Sequence, residues 1–69
     1  MTPRPPSDHI RRFMAAIREE RLDLGGIAAK AGLTLTQVFE IWAYGKQAGK
    51  LRFRDDGPGF RWIEEEAGE

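Results

Sequence analysis

At 69 residues the chain is sized for one domain with a thin core, because a chain this short buries only about 60 % of the surface it exposes when unfolded, and little is left for an elaborate active site. It has no cysteine, which excludes disulfide staples, thiolate nucleophiles and cysteine-ligated metals and fits a reducing compartment. Lysine plus arginine match aspartate plus glutamate at 11 each, a zero balance that argues against a generic polyanion binder until the charges are placed along the chain.

Once placed, they separate by sign. Residues 1–18 carry Arg4, Arg11, Arg12 and Arg18 against Asp8, and residues 24–54 carry Lys30, Lys46, Lys50, Arg52 and Arg54 against Glu40. Residues 62–69 carry Glu64, Glu65, Glu66 and Glu69 and nothing positive. A basic body thus ends in an acidic tail, and the local sign governs what each surface attracts.

Residues 1–7, Met-Thr-Pro-Arg-Pro-Pro-Ser, show neither helical nor strand period and read as a flexible arm. The arm lacks the apolar stretch of a secretory leader, and no apolar run reaches about 20 residues, the length that crosses a bilayer. A cytoplasmic protein without membrane contact is expected. Ser7 or Asp8 can cap a helix in which Ile10, Phe13, Met14 and Ile17 recur at i, i+3, i+4 and i+7, giving one apolar face. His9, the single histidine, falls in its first turn and reads as a surface residue, with no second histidine or cysteine to complete a metal site.

Asp23 can cap a second helix, with Leu22 and Ile27 as a hydrophobic staple and Leu24, Ile27, Ala28 and Ala31 facing inward. Gly25 and Gly26 cost such a helix up to about 1 kcal/mol each; low propensity explains them ahead of a close approach by phosphate. Gly32, after Ala31, suits a left-handed exit. Thr34-Leu35-Thr36-Gln37 is a capping box, so a third helix begins cleanly. Its period turns Val38, Ile41, Trp42 and Gly45 inward and Thr36, Gln37, Glu40, Ala43, Tyr44 and Gln47 outward. Phe39 lies between the faces and reads as cover for the edge of a thin core.

From Leu51 the period becomes two, and Asp55-Asp56-Gly57-Pro58-Gly59 between alternating runs signals a hairpin. Pairing Phe53 with Phe60 and Leu51 with Trp62 gathers the apolar residues on one face and sets Arg52 opposite Arg61. Asp55 and Asp56 are turn formers rather than metal ligands.

The order Ala28-x3-Gly32-x5-Val38-x2-Ile41, followed by Gly49-Lys50-Leu51 leading into the hairpin, resembles the winged helix-turn-helix family over nearly the whole chain. The resemblance implies an α+β winged helix, three helices with a C-terminal two-stranded wing, spanning residues 8–63 between the arm and an acidic disordered tail, 64–69. It implies sequence-specific binding of double-stranded DNA by a small stand-alone transcriptional regulator of bacteria or phage. The recognition helix, about 35–48, would lie in the major groove with Thr36, Gln37, Glu40 and Tyr44 towards bases. Lys46, Gln47, Lys50, Arg52, Arg54 and Arg61 would face the backbone, the last three from the wing at 51–62. Glutamine can pair with adenine, glutamate can accept from cytosine N4, and threonine offers a hydroxyl and a methyl.

The alternative is a protein-interaction module, an inhibitor or subunit of a larger nucleic-acid machine, because winged helices serve that role as well. Homodimerisation through the first helix is also open. No cofactor, metal or small-molecule substrate is expected. Nor is an enzyme, since the chain has one serine, one histidine, no phosphate-cradling glycine loop and no paired acids across a cleft.

Overall fold

The computed structural model describes residues 4–55, 57 and 61–66. Their order is α1 (Ser7–Glu19), α2 (Leu24–Ala31), α3 (Leu35–Gln47), β1 (Leu51–Asp55) and β2 (Arg61–Glu65), with the strands antiparallel. This is an α+β, winged-helix-like layout. Residues 1–3 of the arm, Phe60 and residues 67–69 of the tail lie outside the described residues.

The spacing of apolar residues builds α1 as expected, with Phe13, Ala16 and Ile17 buried and Ile10 and Met14 packed against the core. Its start differs from expectation. Pro6, with φ −57° and ψ 141°, holds the cap position and no side chain caps the helix, so neither Ser7 nor Asp8 has that role. The proline ring fixes an entry geometry that leaves Ser7 already helical. Asp8 pairs instead with Arg11 and, at 3.2 Å, with Arg12.

Asp23 caps α2 by accepting from Gly26 N–H at 2.8 Å, and the helix ends at Gly32 in the left-handed conformation, φ 71°. A Cβ on Gly26 would stand 3.0 Å from Leu22 Cδ2, so tight packing over the cap, rather than an approaching phosphate, accounts for that glycine. Both arms of the α3 capping box are formed: Thr34 Oγ1 accepts from Gln37 N–H at 3.1 Å, and Gln37 Oε1 from Thr34 N–H at 3.0 Å. Val38, Ile41 and Gly45 are buried, whereas Trp42, expected inside, is half-buried at the margin.

The hairpin adopts a register three residues away from the expected one. Phe53 pairs with Ile63, Leu51 with Glu65, Arg52 with Glu64, Arg54 with Trp62 and Asp55 with Arg61. A shift by an odd number exchanges the faces of a strand. Ile63 therefore enters the core, fully buried, and Trp62 turns to the opposite face. Two effects favour this arrangement. The expected register sets two arginines opposite each other, whereas the observed one sets Arg52 against Glu64; and Ile63 N–H donates to Leu22 carbonyl at 3.1 Å, tying β2 to the segment before α2. Trp62 is still buried, beneath polar side chains: Arg21 lies 4.7 Å above its ring and its indole N–H donates to Glu64 at 3.0 Å.

The strand also runs past the expected domain boundary at residue 63. Glu64 and Glu65 belong to β2, and Glu66 N–H donates to Lys50 carbonyl at 2.8 Å, so the acidic stretch 64–66 is part of the fold rather than a disordered tail. Ile63 completes a core of Phe13, Ile17, Ile27, Leu33, Val38, Ile41 and Leu51.

Candidate nucleic-acid interface

Helical geometry divides α3 into a core face, a polar strip and an apolar flank. On the polar strip Thr36 and Glu40 are exposed. Gln37 is half-buried with its amide oxygen committed to the cap, a consequence of the same Thr34…Gln37 spacing that starts the helix. Tyr44 is half-buried and turned towards α1, where it joins Ile10, Met14, Ile41, Lys50 and Leu51 around a small cleft. At the far end of the helix Lys46, Gln47 and Lys50 are exposed, with Lys46 Nζ 5.7 Å from the Trp42 ring centre. Among the described residues neither lysine has an ion-pair partner.

The wing arginines are differently placed, because the register brings each to a carboxylate. Arg52 donates to Glu64 through Nε and Nη2, both at 2.8 Å, and reaches Glu66 at 3.7 Å. Arg54 lies 3.5 Å from Glu64, and Arg61 lies 3.4 Å from Asp55. Glu64 is the hub: the Trp62 indole, then the guanidiniums of Arg52 and Arg54, hold its carboxyl below the usual carboxylate range. Glu65 is held low by Arg18, which donates to it at 2.7 and 3.2 Å and joins α1 to β2. Across the opposite side Glu19 accepts from Lys30 at 3.0 Å and raises its pKa. The wing therefore presents cations already compensated, whereas Lys46 at the end of α3 and Lys50 in the link to β1 have no carboxylate partner among the described residues.

The apolar flank was not among the sequence-based site residues. Leu35 is 61 % and Phe39 58 % exposed, so Phe39 does not cover the core edge, which Val38 and Ile41 close beneath it. They stand one turn apart and, with Leu24, Thr36 and Glu40, line a shallow depression at the start of α3. Phe53, 45 % exposed, continues the flank onto the wing, its ring 6.0 Å from that of Trp42. The i, i+4 spacing of two large apolar residues on the border of the polar strip is the signal that could have found them.

Among the described residues there is no cluster of histidine, aspartate and glutamate fit to hold a metal ion, and no helix is long and apolar enough to cross a membrane. The class that fold and surface define is a small α+β domain of winged-helix-like layout with an exposed third helix. Compared with family profiles, curated proteins and solved structures, the chain shows no significant match.

Proposed function

We propose that the chain binds double-stranded DNA as a small cytoplasmic transcriptional regulator, with α3 in the major groove and the hairpin beside the flanking backbone. The observation that carries this is the arrangement of α3. A complete capping box fixes its first turn, Thr36 and Glu40 are exposed on it, and Lys46 at its other end and Lys50 just beyond are free of carboxylates among the described residues. Base-edge chemistry at one end of a helix and phosphate-binding charge at the other is what a groove-reading helix requires.

A second reading, a module that binds another protein, is favoured by one specific observation: Arg52, Arg54 and Arg61 all face carboxylates while Leu35, Phe39 and Phe53 are open. Exposed apolar patches of this kind mark interfaces. Fluorescence anisotropy of a labelled duplex across a salt series separates the two. With Lys46 and Lys50 as the phosphate contacts, log K against log salt should fall with a slope of about −2. No binding to duplex DNA even at low salt would refute the DNA reading.

A further inference from the structure

We infer that Leu35 and Phe39 read the 5-methyl group of thymine, so that the preferred duplex carries thymine next to the position contacted by Glu40. The inference rests on the DNA reading above and adds to it two specificity-determining residues and the base that they recognise. The polar strip of α3 is short of base-reading groups. Gln37 Oε1 is held by Thr34 N–H at 3.0 Å and Tyr44 is turned to the α1 side, which leaves Thr36 and Glu40. A carboxylate near DNA is opposed by the phosphates unless it meets a donor; the major groove displays two, adenine N6 and cytosine N4, and cytosine N4 is the one that carboxylates pair with most readily.

Directly beside these two side chains stand the two most exposed large apolar residues among those described, Leu35 at 61 % and Phe39 at 58 %. Neither belongs to the core, which gathers Val38, Ile41 and their neighbours, and more than half of each residue's surface faces solvent. The major groove of B-DNA displays one apolar group, the thymine methyl. An apolar flank that borders the polar strip in the first turns of a groove-reading helix meets that group and no other feature of the base edges. Lys46 at the end of the helix and Lys50 just beyond it, without carboxylate partners among the described residues, hold the duplex in register while the flank closes on the methyl.

The test begins with a change in the DNA alone. A duplex selected from a random pool is compared with the same duplex in which deoxyuridine replaces thymidine, which removes the methyl and leaves every hydrogen-bonding group in place. Affinity should fall about fourfold for each contacted methyl, the equivalent of about 0.8 kcal/mol for a buried group of that size. Phe39→Ala and Leu35→Ala should lower affinity for the thymine duplex to the same level and lose the thymine–uracil difference; their melting temperatures should stay near that of the parent because both side chains are exposed. Equal affinity for the two duplexes, or a difference that survives both substitutions, overturns this inference while DNA binding stands. Absence of binding to any duplex overturns it together with the reading on which it rests.

Discussion

Gly45 sets how closely α3 approaches the wing, and replacing it with alanine tests that packing directly. In an exposed helix interior the change from glycine to alanine gains up to about 1 kcal/mol. At Gly45, which is buried, an added Cβ would stand 2.7 Å from Leu51 Cγ and nearer still to Cδ1. Leu51 cannot swing away, since it is 5 % exposed within the core and its strand is fastened by Lys50 N–H donating to Gly45 carbonyl at 2.8 Å. Overpacking of this kind costs about 1–3 kcal/mol, so Gly45→Ala should be net destabilising by up to about 2 kcal/mol once the helix gain is subtracted. Leu51→Ala alone should cost about 2–5 kcal/mol through the cavity that it leaves. In that background the obstacle is gone and the new methyl partly fills the space, so Gly45→Ala should become stabilising. Urea melts of the four proteins, followed by tryptophan fluorescence and far-ultraviolet circular dichroism, give the cycle. Equal effects of Gly45→Ala in both backgrounds would refute the close approach of α3 and β1.

Three further outcomes follow from the same geometry. Gln37→Ala should lower the melting temperature but keep the ratio of affinities for selected and random duplex, and Thr34→Ala should cost about 1 kcal/mol; a fall in the affinity ratio with unchanged melting would return Gln37 to base reading. Glu64→Gln together with Glu66→Gln, which removes both carboxylates that face Arg52 and the one that faces Arg54, should release the two arginines for phosphates and steepen the salt slope from about −2 to about −4, whereas an unchanged slope would count against phosphate contact by the wing. Arg18 depresses the Glu65 carboxyl, and Trp62 with Arg52 depresses that of Glu64. The stability that these groups contribute is therefore present above the ordinary glutamate range and lost as the pH falls through their lower folded values. Acid melts of Glu65→Gln should show a shallower loss below about pH 4.5 than the parent, and parallel curves would contradict the assignment.

The helices were legible because their signals are local. Asp23, Gly32 and the Thr34…Gln37 box each act within four residues, and the apolar spacing of α1 is visible without any partner. The hairpin itself was legible from its alternating runs and the Asp-Gly pair in the sequence between them, but its register was not, because Trp62 and Ile63 are adjacent and both are buried. Alternation assigns one of such a pair to the core and the other to solvent. Only the three-dimensional context, with Arg21 stacked over Trp62 and Leu22 carbonyl accepting from Ile63 N–H, shows that each face has its own cover. The electrostatics of the wing depended on that register. Placed opposite Arg61, Arg52 reads as a free cation; placed opposite Glu64, it is a paired one. The exposure of Phe39 was hidden for a similar reason, since an aromatic residue on the border of two helical faces reads as core until the fold shows more than half of it facing solvent.

The burial of Ile63 also fixes an order of events during synthesis. The three helices leave the ribosome first, at about 5–20 residues per second, and each carries enough local information to form early. Yet Phe13, Ile17 and Leu51 share their core with a residue of the last strand, and Arg18 waits for a carboxylate 47 positions further along the chain. Until β2 emerges the helices can gather but not lock, because contacts of such long sequence separation form late. A nascent chain halted before Ile63 would hold every helix signal and still expose its apolar faces to proteases and to other chains.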